Sequence, residues 1–150
     1  MLRLLKGDQN VILQSGPLVL EPPAESISQP DPAEKHDLKR VIEVVEAEEF
    51  YLEPNLTIST LAKKVQMPEH KLRQLVNQHM GYRNFADFLN EYRIEAAKIR
   101  LADVANRRQQ VLVLAMDLGY GSLGPFNRAF KARTGLTPSE YRKKALAETE

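Results

Sequence analysis

Two tetrapeptides near opposite ends of the chain restrict its fold more than any other feature. Asp31-Pro32-Ala33-Glu34 and Thr137-Pro138-Ser139-Glu140 share one pattern: a side-chain acceptor, then proline, then a carboxylate three residues after the acceptor. Each is a reciprocal helix start, because the acceptor satisfies a free N–H of the first turn and the carboxylate returns to the acceptor's own N–H. Between them, apolar residues recur at helical spacing and strand signals almost vanish, which predicts an all-α domain. Upstream, Glu21 to Pro32 holds Pro22, Pro23, Pro30 and Pro32 among small polar residues. Proline's fixed φ and missing N–H exclude regular structure there, so residues 1–30 are expected to be an N-terminal segment and linker, and residues 31–150 the domain. Val11 to Leu13 and Leu18 to Leu20, around Ser15-Gly16-Pro17, are compatible with a strand pair too small to stand alone.

The periodicity can be followed helix by helix. Leu38, Val41, Ile42 and Val45 recur at i, i+3, i+4 and i+7, with Pro54 expected to end the pattern. Thr57 caps a short helix carrying Ile58, Leu61, Ala62 and Val65. A third runs from about Pro68 to His79, burying Leu72, Leu75 and Val76, and stops at Gly81. Only Gln66-Met67 separates the second and third, a break short enough for a helix-turn-helix unit whose second helix can enter the major groove of DNA. Asn84 caps a long helix, to about Val104, with Phe85, Phe88, Leu89, Tyr92, Ala96, Ala97 and Leu101 on one side. After the polar loop Asn106 to Gln110, a short helix at Val111 to Leu118, a turn at Gly119-Tyr120-Gly121 and a helix capped by Ser122 repeat the first unit. There Phe126, Ala129 and Phe130 are expected inward, and Leu123, Gly124, Asn127, Arg128 and Lys131 outward. The reading is about seven helices, with helix-turn-helix units at about 57–80 and 110–133 joined by a linker helix at about 84–104.

Charge divides along this organisation. The net charge of +1 hides 14 Lys/Arg against nine Asp/Glu in residues 67–150, and five against eight in residues 31–66. The excess positive charge after residue 66 points to a polyanionic partner. The absence of cysteine removes disulfides, thiolate metal sites and cysteine nucleophiles and suits a reducing cytosol. Lys6, Asp8, Gln9, Asn10 and Gln14 interrupt the early apolar runs, so neither a signal-peptide core nor a membrane span is expected. His36, His70 and His79 are dispersed and lack metal-motif companions, and no phosphate loop, dinucleotide turn or G-x-S-x-G elbow occurs. Neither an enzyme nor a cofactor or metal site is expected, and His79 is read as a partly buried core residue.

Several motifs occur together in order and spacing: Leu61-Ala62, Gly81-Tyr82, Ala96-Ala97-Lys98, Ala115 with Gly119, Phe126-x-Arg128-x-Phe130-Lys131, and the closing Gly135-Leu136-Thr137-Pro138-Ser139-Glu140-Tyr141-Arg142. Together they resemble the C-terminal DNA-binding domain of the AraC/XylS family of bacterial transcription regulators over about residues 36–144. The resemblance implies a homeodomain-like fold of two helix-turn-helix subdomains, sequence-specific binding of double-stranded DNA, and transcription regulation, usually as an activator that positions RNA polymerase. Gly81-Tyr82-Arg83-Asn84-Phe85, Asn90-Glu91-Tyr92-Arg93-Ile94 and Gly119 to Phe126 are similar to regulators with a membrane-embedded N-terminal sensor. The chain is therefore expected to be the cytoplasmic part of a longer receptor, tethered to the membrane if that sensor precedes it. Three departures stand out: Gln66 and Pro68 where glycine and serine are common, Leu123 and Gly124 where the second recognition helix usually starts with polar residues, and a longer loop holding Arg107 and Arg108.

Arginine can bond guanine O6 and N7 in pairs, and asparagine or glutamine can do so at adenine. His70, Arg73 and Gln74 on the first recognition helix, and Asn127 and Arg128 on the second, are accordingly the candidate base readers. Lys71, Asn77, Ser122 and Lys131 are the candidate phosphate contacts. Arg107 and Arg108 are read as solvated, the aromatic residues as core, and Leu112 and Val113 as a patch for another domain or subunit. A linker helix of about 20 residues spans roughly 30 Å, near one DNA turn of about 34 Å. A monomer would then suffice for two successive grooves. The alternative is a helical protein-interaction module that has lost DNA binding, favoured by Leu123, Gly124 and the modest overall charge.

Overall fold

A computed structural model describes residues 29–149; the expected strand pair at residues 11–20 lies outside them. Seven α-helices follow in order: α1 (Pro32–Ile42), α2 (Ile58–Lys64), α3 (Glu69–Gln74), α4 (Phe85–Ala102), α5 (Val111–Asp117), α6 (Leu123–Thr134) and α7 (Pro138–Thr149). Both tetrapeptides form reciprocal caps. Glu34 N donates to Asp31 Oδ1 at 2.8 Å while Asp31 N donates to Glu34 Oε2 at 3.0 Å. Glu140 N donates to Thr137 Oγ1 at 3.1 Å and Thr137 N to Glu140 Oε1 at 2.8 Å. These bonds to the Thr137 backbone and side chain hold the exposed Glu140 carboxyl below its usual range.

Two helices end differently from the sequence expectation. α1 passes at Ile42 into a π-helical turn, Glu43–Ala47, and α3 passes at Gln74 into another, Leu75–His79. Each widened turn carries two consecutive buried residues, Val44 with Val45 and Leu75 with Val76. The chain then reverses at Glu49, in the left-handed region at φ 50°, into a 3-10 turn at Phe50–Leu52. The first helix therefore ends well before Pro54. Its reversal brings Phe50 and Tyr51 back onto the first core.

The core is in two parts. Val41, Val45, Leu61, Leu72 and Leu75 pack around Phe88 and Leu89 in the first, and Leu114, Leu118, Phe126 and Phe130 pack around Ile94, Ala97 and Leu101 in the second. α4 runs through both, its first half serving one unit and its second half the other. Each fully buried leucine or phenylalanine stabilises by about 1.5–3 kcal/mol. The aromatic core assignment holds: Phe88, Phe126 and Phe130 are fully buried, and Phe85 and Tyr92 pack at the edge of the first core. His79 is also partly buried, with only 3% of its side chain exposed and Nε2 3.5 Å from Glu34 Oε1.

A charged residue joins the halves. Arg93 lies on the buried stripe of α4 between Leu89 and Ala97, and is itself only 7% exposed. Its Nε donates to Tyr51 O at 2.7 Å, its Nη2 donates to Glu53 O at 3.1 Å, and its guanidinium lies over the Tyr120 ring at 5.2 Å. Burial lowers its pKa, and burial pushes the Tyr120 hydroxyl up to about 12. Gly119 makes the fit possible. At φ +96°, a Cβ there would stand 2.7 Å from Arg93 Nη2 and 2.9 Å from Leu52 O.

Candidate nucleic-acid interface

The helix-turn-helix break of the first unit is made without glycine. Gln66 takes the left-handed conformation at φ 57°, and Met67 N donates to Ala62 O at 3.0 Å. Pro68 opens α3 without a side-chain cap. Since Leu72, Leu75 and Val76 face the core, His70, Arg73, Gln74 and Asn77 fall at i, i+3, i+4 and i+7 on the opposite, exposed face. Arg73 is steadied on that face by its own helix, its Nη2 lying 2.9 Å from Glu69 Oε1.

Lys71 is separated from this group. Its Nζ lies 2.6 Å from Oδ2 of Asp37, a carboxylate that Arg40 also binds at 2.9 Å. The hydrogen bond from Lys71 holds Asp37 below the usual carboxylate range; burial opposes it, and the charges of Lys71, Arg40 and His36 add to it. Lys71 thus fastens α3 to α1, because a buried carboxylate demands a cation more strongly than solvent does.

In the second unit Ser122 is the N-cap of α6, but its hydroxyl makes no capping bond and remains exposed. Arg128 and Lys131 are exposed and Asn127 is half-buried on one face. Gly124 shares it: a Cβ there would lie 3.3 Å from Arg128 Nη1, so the missing side chain leaves room for the guanidinium. Leu123 differs from expectation. It is half-buried against the second core and contributes little outward apolar surface.

Two cavities beside these faces share Arg83 and Asn84 in their linings. A cavity of about 280 Å³ is lined by Arg73 and Asn77 of α3 with Arg83 and Asn84. A second, of about 350 Å³, is lined by Arg83 and Asn84 with Asn90, Arg128 and Arg133. Arg83, with 84% of its side chain exposed, is the cation between the two faces, and the sequence reading did not single it out. Its position just before the cap of α4 was the available signal. Asn84 Oδ1 accepts from Asp87 N at 2.8 Å, and Arg133 reaches Asp87 Oδ1 at 2.5 Å, tying α6 to the first half of α4. Burial raises the Asp87 pKa, but its hydrogen bond to Arg133 and the charges of Arg133 and Arg83 outweigh burial and leave it lowered.

α4 links the two units, as the sequence predicts. Eighteen residues at 1.5 Å each give a rod of about 27 Å, but α6 lies back along its beginning. Arg133 and Asp87 thereby brace α6 against the start of the linking helix. Arg107 and Arg108 are exposed, and the loop carrying them is held from α7, where Arg142 donates to Arg107 O at 3.2 Å and to Gln109 O at 2.7 Å. Leu112 and Val113 are solvent-facing, at 46% and 44% exposure, and Met116 joins them at 50%. No helix among the described residues is long and apolar enough to cross a membrane.

Residues 61–144, more than half of the chain, match the family model for a helix-turn-helix domain. An uncharacterized HTH-type transcriptional regulator of Staphylococcus aureus is 32% identical over 111 residues, covering 74% of this chain and 14% of the relative. The chain thus spans about one seventh of the length of that relative. A structure of a Listeria innocua protein is 31% identical, with a TM-score of 0.61 over 71% of this chain and 95% of that one. The fold is also shared with an AraC-type DNA-binding-domain regulator from Chromobacterium violaceum, at 19% identity and a TM-score of 0.62, covering 77% of this chain and 96% of that one. With two helix-turn-helix units, the linking helix and the closing motif all in place, the chain belongs to the AraC/XylS family of helix-turn-helix transcription regulators.

Proposed function

We propose that this chain is the DNA-reading part of a longer regulator, binding a specific double-stranded site through both recognition helices. The observation that carries this reading is the pair of arginine-bearing cavities, one lined by Arg73 and Asn77 and the other by Arg128 and Arg133, that share Arg83 and Asn84. His70, Arg73, Gln74, Asn127 and Arg128 read bases. Asn77, Ser122, Arg83 and Lys131 hold phosphates and so fix register. Lys71 contributes through the placement of α3 on α1. Because the two reading faces differ in sequence, the site is asymmetric and one monomer suffices.

Activation through contact with RNA polymerase, an upstream sensor domain and a cytoplasmic location, membrane-tethered if the sensor is embedded, complete the proposal. They rest on the motif resemblance and on the roughly six-sevenths of the Staphylococcus relative that this chain does not cover. Binding to a random duplex at two salt concentrations tests the reading. Neutralising about four phosphates predicts an affinity loss on the order of 100-fold between 50 and 200 mM salt, from a slope of about −0.9 per phosphate. Absence of salt-dependent binding would favour a helical protein-interaction module instead.

A further inference from the structure

The outer side of α4 carries a groove that the DNA reading does not use. Tyr51, Tyr92, Ala96 and Ile99 line a cavity of about 320 Å³ between α4 and the turn at Phe50–Leu52. Its walls are organised: the Tyr51 and Tyr92 rings stack with centroids 5.7 Å apart and an interplanar angle of 26°. Ile99, 73% exposed, extends the apolar strip into solvent. Glu46, Glu91 and Glu95 border the same groove. Tyr92 Oη donates to Glu46 Oε2 at 3.0 Å and Lys98 pairs with Glu95 at 2.7 Å, whereas Glu91 has no ion pair among the described residues. With Lys98 offsetting one of the three carboxylates, the rim carries net negative charge.

We propose that this groove docks a basic, leucine-bearing segment of a protein partner, with apolar side chains on Tyr51, Ala96 and Ile99 and cations facing Glu46, Glu91 and Glu95. The commitment to a basic partner rests on charge complementarity. An exposed apolar strip rimmed by three carboxylates repels acidic segments and nucleic acid, and attracts apolar side chains flanked by lysine or arginine. The stacked tyrosines add an aromatic face for such a cation. At 100° per residue, Tyr92, Ala96 and Ile99 lie roughly half a turn around α4 from Ala86, Asp87 and Asn90, which line the cavity shared with Arg128 and Arg133. Partner and DNA can therefore occupy the chain together, and the groove is independent of the DNA reading.

The probe is a fluorescein-labelled 14-residue peptide of leucine and lysine, with leucines spaced three and four apart, titrated against the full chain without DNA. Saturable binding at a single site is expected, with shifts of the Ile99 methyl and the Ala96 amide in NMR spectra. The pair Glu91→Gln and Glu95→Gln should weaken binding by about fivefold to tenfold, as should Ile99→Ser separately, while random-duplex affinity stays within twofold. A matched peptide with glutamate in place of lysine should not bind. The proposal is overturned if no saturable binding occurs, if both variants bind as the parent does, if the glutamate peptide binds equally well, or if the shifts map to Leu112, Val113 and Met116.

Discussion

Lys71 and Arg73 stand two positions apart on α3 and serve different ends. Arg73 lies on the exposed face with His70 and Gln74, while Lys71 is turned toward Asp37. Replacing Arg73 or Arg128 with alanine should cost about 1–3 kcal/mol against the preferred site and change the ranking of site variants. Lys131→Ala should weaken all sequences alike and reduce the salt slope by about one. Competition binding against a panel of single-base variants separates the two behaviours; an unchanged ranking for Arg128→Ala would remove it from base readout. Asp37 gives a pH prediction. Its folded pKa lies below its unfolded value of about 3.9, so its stabilisation is complete above that pH and is lost as pH falls through the lowered folded value. Asp37→Asn should destabilise by about 1–2 kcal/mol at neutral pH, by leaving Lys71 and Arg40 without their carboxylate. The melting-temperature gap between parent and variant should narrow as pH falls below the unfolded value of about 3.9; a gap that stays constant on acidification would contradict the account. The exposed polar face of α3 was legible in sequence because His70, Arg73, Gln74 and Asn77 are offset from Leu72, Leu75 and Val76 by helical periodicity. The partner of Lys71 was not, because Asp37 reaches it only after α1 packs across α3.

Among the elements, helix starts were the most legible parts, since a cap is a local contract between residues three apart, as at Asp31 with Glu34 and Thr137 with Glu140. The π turns at Glu43–Ala47 and Leu75–His79 were not legible, because apolar periodicity predicts a continuing α-helix at both places. The joint between units was half visible: Arg93 interrupts an apolar stripe, but its acceptors, Tyr51 O and Glu53 O, lie on a turn that periodicity does not predict. Gly119 tests this joint. Gly119→Ala combines a positive φ with a Cβ 2.9 Å from the Leu52 carbonyl, and should destabilise by about 2–4 kcal/mol. Gly81→Ala has a similar φ of +80° but nothing within 4 Å, and should cost only about 1 kcal/mol. Thermal melts of the two variants measure the difference, and equal losses would show that the Arg93 joint is not tight.

At the scale of the whole molecule, two unlike reading heads are fixed to one helix and cannot be exchanged by symmetry. α6 is braced against the first half of α4 through Arg133 and Asp87, a contact that counting the residues of α4 did not reveal. A rigid two-headed monomer touches successive major grooves only where they present on one side of the duplex, about 10 base pairs apart. The most direct measurement of this account takes a site selected from random duplexes, inserts five base pairs between its two halves, and compares monomer affinities by gel shift. Half a turn of rotation places the second half-site on the far side of the DNA, so the insertion should reduce specific binding to the level of a random duplex, and insertion of ten base pairs should not restore it because the heads are too close to span two turns. Undiminished affinity after the five-base-pair insertion, or a palindromic footprint occupied only by dimers, would contradict the two-headed monomer.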